Sequence, residues 1–517
     1  VIAMTWKASD PERNEVEKIR YDVVPYAGIG GFDLGCGAHK VFPHFVGIDS
    51  GVDTALFNVQ MQPDFIADCT KLPQFADEAT ECVFSSHLLE HIEDYRAALR
   101  EWWRLVKVDG YLVLYLPHRD LYPRIGEPGS NPDHKHDFAP DDILDAMREL
   151  ASDADAIINE TRDGLREYSF LQVYQKLPAG RGWNESWLAP RPEKTAGVVR
   201  PGAYGDAIWS SSLTAELKRQ GYHVTLYTGR AGAEVCAADP NVDRIIRLHD
   251  NAFPTDADWM LYYLWESRKY DRFHNLVGVV EVDLLPHPHD VRYQWPAAVR
   301  HKRMNVNYLE AMHEIAQLPV ERYEQRFYPT AEERAWAVEQ RAKLFAGPLV
   351  VVAPCGSGKP KTWPHVQKFI DLMAAREVYT LVLGDLRQEL VAKSRYQVII
   401  GKDLQIRQAM ALAQCADVVV GTESALVNAV ANEAMLKVVL LSHSSPENLT
   451  KHWTNTMSVQ PEAIKCHPCH RLHVGFEFCT KDAGTGFAAC QAAVGAELVA
   501  DAIAPTLDAL QRVREAA

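Results

Sequence analysis

Residues 31–40, GFDLGCGAHK, carry a short apolar strand, Gly31 to Leu34, into a turn holding Asp33, Gly35, Cys36 and Gly37. Glycine lets backbone N–H groups approach a ligand closely, and a helix beginning after such a turn would favour an anionic group. Alone, the pattern reads equally well as a tight turn. Its sequel decides the matter. A second strand, Phe45 to Ile48, is followed by Asp49, where an acid accepts hydrogen bonds from ribose hydroxyls in dinucleotide-type folds. Asp68, after a third strand, suits an adenine amino group. Glu81 to Ser85 and Tyr111 to Leu116 are further strands; between them Ile92, Leu99, Trp102, Trp103, Leu105 and Val106 recur near the helical period, with Gly110 as terminator. Strands alternating with amphipathic helices predict an α/β fold, a parallel sheet covered on both faces.

Beyond this region the alternation stops and restarts. Residues 177–194, LPAGRGWNESWLAPRPEK, concentrate Pro and Gly without a period of their own, and a new unit opens at Ala196 to Val199. A charged helical segment spans about 330–346, and a third alternating unit opens at Leu349. The division expected is 1–177, a linker over 178–194, 195–340 and 341–517, in keeping with roughly three domains for 517 residues. No short repeat points to a solenoid or propeller.

In the second unit, VVRPGAYGDAIWSSS reads as strand, Gly-rich turn and helix, with Asp206 at the helix mouth. Asp206 fits a helix N-cap as well as a catalytic acid. In the third, VVVAPCGSGKPKTWP places Ser357, Lys359 and Lys361 between a strand and a helix, where cations can neutralise a diphosphate. It is no P-loop, because Lys359 is followed by Pro360 and the first glycine of that motif is missing. ADVVVGTESALVNAVA then gives a strand, a turn over Glu423, Ser424, Ala425 and Leu426, and a helix carrying Asn428. The turn's N–H groups and the Ser424 hydroxyl suit a phosphate, and the glutamate suits ribose or a sugar. Asp256 and Asp258 fall in a polar stretch and read as incidental.

The run FDLGCG, VGIDSG, ADCTKLP, SSHLLEHI, RLVKVDGYLVLYLPH and DHKHDFAPDDI resembles the class I S-adenosylmethionine-dependent methyltransferases over residues 25–150. The resemblance implies a Rossmann-like domain with S-adenosylmethionine against Asp33, Gly35, Cys36, Gly37, Asp49 (ribose) and Asp68 (adenine). His87, His134 and His136 are then candidates for a general base, since imidazole titrates near neutrality; each also reads as a plain loop histidine. The motifs PGAYGDAIWSSS, KTWP and ADVVVGTESALVNAVA resemble glycosyltransferase family 9, the ADP-heptose:lipopolysaccharide heptosyltransferases, over about 195–515. That resemblance implies a GT-B pair of Rossmann-like domains and a nucleotide-diphosphate sugar as donor. Asp206 would be the base for inverting transfer. Ser357, Lys359, Lys361, Glu423 to Leu426 and Asn428 would lie on the donor side. The chain departs from the family at Glu423, Ala425 and Asn428, where Asp, Gly and His are usual. The expectation is a bifunctional transferase acting on a glycan or glycoconjugate. Two alternatives stay open: a protein or modified nucleobase as acceptor, and one catalytic domain degenerated into a binding module.

Four of the ten cysteines, Cys466, Cys469, Cys479 and Cys490, fall within 25 residues and ask for a local explanation. Structural zinc, buried thiols and a disulfide are all compatible with them. A formal charge of −15 speaks against a phosphate backbone as partner. No apolar run is long enough to span a membrane, and the opening residues have no apolar core of a secretory signal, so a cytoplasmic location is expected.

Overall fold

The structure is a computed structural model describing residues 15–51, 63–164, 166–476 and 478–515. It divides into two compact units: residues 1–193 with 246–269, and residues 194–245 with 270–517. The excursion 246–269 lies within the stretch expected for the second domain, yet its residues pack with the first unit. Phe253 and Tyr262 meet the ring of Tyr21 at 5.5 and 5.8 Å, and His249 stacks on His44 at 4.0 Å.

The first unit is built on one seven-stranded sheet. Its strands are β1 (Gly31–Leu34), β2 (Val46–Asp49), β3 (Phe65–Ile66), β4 (Thr80–Ser86), β5 (Val106–Pro117), β6 (Ala154–Arg162) and β7 (Ser169–Lys176), in the order β3-β2-β1-β4-β5-β7-β6. The first five run parallel; β7 inserts antiparallel between β5 and β6. Strand order reverses at β1, so a crevice opens beyond the carboxyl ends of β1 and β4, the usual ligand position in such sheets.

Two expectations need correction here. The crossover helix is shorter than the apolar period suggests, Tyr95–Leu105, because Asp94 caps it by accepting the Ala97 N–H at 3.0 Å. Residues Leu89–His91 form a separate single turn, and Gly110 lies inside β5. No helix follows the glycine turn; residues 35–45 are turns and bends, in which aspartates take the N–H groups of Gly37 and Val41 and backbone carbonyls those of Gly35, His39 and Phe45.

The second unit contains two sheets, parallel in each described pairing. One has β8 (Thr195–Val199), β9 (His223–Thr228), β10 (Arg244–Arg247) and β11 (Arg272–Asn275), ordered β10-β9-β8-β11. The other has β12 (Leu349–Ala353), β13 (Tyr379–Leu383), β14 (Gln397–Gly401), β15 (Val418–Thr422), β16 (Leu436–Leu440) and β17 (Thr456–Val459), ordered β14-β13-β12-β15-β16-β17. Strand β12 (LVVVA) is buried throughout, as a central parallel strand covered on both faces should be. Order reverses at β8 and at β12, which marks the loops after β8, β11, β12 and β15 as the ligand-facing ones. The segment 178–194 is not a free linker. Ser186 donates its N–H and hydroxyl to Asp155, at 2.9 and 2.6 Å, between two continuously exposed runs, 178–182 and 188–194. The pair Asp256 and Asp258 opens the helix Asp256–Ser267 and does not lie in a loop; Thr255 caps it.

Candidate active sites

In the second unit those four loops enclose a cavity of about 740 Å³. From the β8 side come Gly202 to Asp206, and from beyond β11 comes Glu281; Cys355 to Gly358 and Lys361 follow β12, and Glu423 to Leu426 follow β15. Asp206 does what a third helical residue can do, accepting the Ala203 N–H at 2.8 Å, and so caps its helix while lining the cavity. Arg200, fully buried, pairs with both oxygens of Glu281 at 2.7 and 2.9 Å and reaches only 3.6 Å from Asp206. Glu281 therefore keeps its charge. Burial, then the neighbouring Glu281, pushes the Asp206 carboxyl up to about 6.

On the facing loops, Lys361 is buried and its Nζ stands 3.9 Å from Glu423; burial lowers its pKa although both acids oppose the shift. Burial would raise the Glu423 carboxyl, but His443 and Lys361 outweigh it and hold it well below the usual range. Glu423 is occupied internally. Oε1 accepts the N–H groups of Ser442 and Ser444 at 2.7 and 3.1 Å, and Oε2 lies 2.8 Å from His443. Asn428 is similarly committed: Oδ1 accepts from Trp209 and Gln325, both at 2.8 Å, and its amide donates to the Ser424 carbonyl at 3.0 Å. Ser424 is different, for its hydroxyl is buried with no hydrogen-bond partner. Ser357, Ala425 and Leu426 line the cavity; Lys359, expected beside them, is exposed and does not. Arg387, whose role the sequence did not signal, ties the loop down by donating to the carbonyls of Gly356, Ser357 and Gly358. Gly358 has its α-carbon so close to the chain that a Cβ would sit 2.1 Å from the His473 carbonyl oxygen.

In the first unit the glycine turn folds around two aspartates. Asp33 is buried and accepts the Val41 N–H at 2.6 Å; burial pushes its carboxyl up to about 7. Asp49 accepts the Gly37 N–H at 3.0 Å with one oxygen and the Gly51 N–H at 3.1 Å with the other. Gly35 has φ +72°, and a Cβ there would meet the Leu88 side chain at 2.8 Å. The turn can thus lie flat across the crevice between β1 and β4 only with glycine at this position. Burial raises the Cys36 thiol to about 12, so it stays protonated. Asp68 is exposed, its Oδ1 accepting the Thr70 N–H and hydroxyl at 2.8 and 2.7 Å, which holds its pKa down.

Residues 32–114 match the family model described as a methyltransferase domain. The matched stretch lies within the first unit and takes in β2 to β4 and most of β1 and β5. No curated protein matches the chain. Among solved structures, a glycosyl transferase family 9 protein from Veillonella parvula is 13% identical, with TM-score 0.45, covering 62% of this chain and 98% of its own. The E. coli ADP-heptose lps heptosyltransferase II is 15% identical, with TM-score 0.42, over 62% of this chain and 100% of its own. A SAM dependent methyltransferase from Archaeoglobus fulgidus is 16% identical, with TM-score 0.24, over 32% and 96%.

Within the methyltransferase domain the three candidate base histidines fare differently. His136 holds its Nε2 3.1 Å from the carbonyls of Ile92 and Glu93, which makes that nitrogen a donor and the residue a fastener. Burial drives His87 down to about 3 and His134 to about 4, so both are neutral at pH 7 but weak proton acceptors. The cysteine set lies in the second unit. Cys469 and Cys490 are buried, Cys479 is half-buried and Cys466 exposed, and the Cys469 thiol lies 3.4 Å from His473. Among the described residues, ligand atoms of three metal-binding side chains converge within 4.8 Å of one another not at these cysteines but at Glu90, His91 and His134. Sequence reasoning missed Arg200 and Glu281. Arg200 directly precedes the PGAYGD motif, but nothing in the chain couples it to Glu281, which lies 81 positions away.

Proposed function

We propose that the chain is a bifunctional transferase: an S-adenosylmethionine-dependent methyltransferase joined to an inverting glycosyltransferase that draws on a nucleotide-diphosphate sugar and acts on a glycan or glycoconjugate. The observation that carries the second half is one cavity lined by an acid held up to about 6, Asp206, and, from other loops, by buried Lys361 and the unpartnered Ser424 hydroxyl. Glycosyl transfer requires that division. A base must deprotonate the acceptor hydroxyl, and cations or donors must stabilise the departing diphosphate. Asp206 serves as the base, with Arg200 and Glu281 fixing its charge state; Lys361 and Ser424 face the diphosphate.

For the methyl half, the glycine turn after β1 and the Asp49 carboxylate at the end of β2 fit a nucleoside with a charged tail. S-adenosylmethionine, when bound, supplies an already activated methyl group, so the domain's own task is alignment. For Cys466, Cys469, Cys479 and Cys490 the reading the geometry supports is thiols without a metal, since among the described residues their sulfurs do not converge as a ligand set.

A second reading has one specific observation behind it. Glu423 and Asn428 make their hydrogen bonds within the protein, as they would in a donor site that has turned structural. Calorimetric titration of the full chain with S-adenosylmethionine and a panel of sugar nucleotides separates the two. Under the bifunctional reading both classes bind, and Asp206→Asn leaves donor affinity within about twofold while lowering turnover about a hundredfold. Lys361→Ala weakens donor binding as well. If no sugar nucleotide binds the wild type, the degenerate reading replaces it; if Asp206→Asn transfers sugar at full rate, Asp206 is a helix cap and nothing more.

A further inference from the structure

Glu90 is the least comfortable side chain in the methyltransferase domain. It is fully buried, in the single turn after β4, and among the described residues neither carboxylate oxygen has a hydrogen-bond partner in another residue. Leaving a buried carboxylate unpaired is costly enough that such groups are normally paired, protonated or bound to a metal. What surrounds it is imidazole. His87 Nδ1, His91 Nε2 and His134 Nε2 stand 3.6, 3.9 and 3.9 Å from Glu90 Oε1. These separations are too long for hydrogen bonds. Metal–ligand bonds of about 2.0–2.2 Å at tetrahedral or octahedral angles put neighbouring ligand atoms roughly 3.0–3.5 Å apart; the three ligand atoms here lie within 4.8 Å of one another, so rotation of the two imidazoles toward the carboxylate would seat an ion.

The backbone holds this arrangement together from both sides. The Glu90 carbonyl accepts the N–H groups of Lys135 and His136 at 2.7 and 3.2 Å, which clamps the loop bearing His134 against the turn bearing Glu90 and His91. His91 and His134 meet edge to face, ring centroids 4.8 Å apart, with their nitrogens turned toward the same carboxylate.

We infer that Glu90, His91 and His134 bind a divalent transition-metal ion just beyond the carboxyl end of β4, with His87 at its margin. Two imidazoles and one carboxylate suit Fe²⁺, Mn²⁺, Co²⁺ or Zn²⁺, and three protein ligands leave positions for oxygen ligands from water or substrate. Those positions are reached past His91, the most exposed of the three at 29% of its side chain. The role earlier considered for His134, a general base, is replaced by that of a ligand. The neutral imidazole that burial enforces is the form a metal requires.

The test is to strip the full-length protein with a chelator, titrate it with Co²⁺ and record its visible spectrum. An ion held by nitrogen and oxygen alone shows ligand-field bands without thiolate-to-metal charge transfer, which separates this site from the cysteine set. Wild type should take up about one such equivalent. Glu90→Gln, which keeps the shape and removes the charge, and His134→Ala should each weaken that uptake by about a hundredfold or more, with S-adenosylmethionine binding retained. The proposal is overturned if wild type shows no thiolate-free Co²⁺ spectrum, or if both variants bind the ion as wild type does. Should both variants fail to fold, the wild-type spectrum decides, together with whether Co²⁺ raises the melting temperature of the stripped protein as a native-state ligand must.

Discussion

Asp33, in β1, and Asp49, at the end of the neighbouring β2, answer to different physics. Asp49 is buried and each of its oxygens accepts one backbone N–H, from Gly37 and from Gly51, with a lone pair left on each; under the proposed role in holding ribose, Asp49→Ala should cost two charge-assisted hydrogen bonds, on the order of 3 kcal/mol or more than a hundredfold in S-adenosylmethionine affinity by calorimetry. Asp33 faces inward. Its folded carboxyl, near 7, lies above the ordinary 3.8, so the native state holds a proton the unfolded chain releases. The stability this contributes is fully present below about pH 4 and is lost as pH rises through 7, a change of about 4 kcal/mol at most. Asp33→Asn can still accept from Val41 and should flatten that slope; denaturant midpoints at pH 5 and pH 8 would show it, and an unchanged slope would place the Asp33 proton elsewhere. That acids stand at or near these strand ends was legible in the sequence because a strand end is a local feature. The pairing of Arg200 with Glu281 was not, since two separate parallel strands bring it about.

At the scale of elements, strand edges were read well and helix starts poorly. Strand β1 matches its expected range, and β4 and β5 contain theirs, because short buried runs bounded by turn residues leave little freedom. The helix Tyr95–Leu105 was overextended because Leu88, Leu89 and Ile92 share its apolar period while belonging to the turn that presents Glu90 and His91. The helix Tyr204–Arg219 shows a further tertiary effect: its Trp209 is satisfied only by Asn428, 219 positions on. Asn428→Ala would leave the Trp209 and Gln325 donors unpaired in a buried place, about 1–3 kcal/mol each. Urea unfolding should register a loss of that size. If stability holds and donor affinity falls instead, Asn428 is a ligand residue after all.

For the whole molecule, the consequence lies in residues 246–269. A fragment ending at Glu193 would keep every strand of the first sheet yet lose Phe253, Tyr262 and His249, whose rings pack on Tyr21 and His44. Removing buried aromatics of this kind typically costs 3–5 kcal/mol apiece. That fragment should melt well below the full chain or aggregate, whereas one supplied with a peptide spanning 246–269 should recover part of the difference. Equal melting temperatures would mean the excursion is ornamental. Among the described residues no helix is long and apolar enough to cross a membrane.

Because the chain leaves the second unit at 245 and returns at 270, it passes between the units three times: at 193/194, 245/246 and 269/270. A protease that nicks the exposed 188–194 stretch therefore severs one connection of three. On a denaturing gel the product would run as two bands, and on a native column it would elute as one species, its pieces laced together by a borrowed helix.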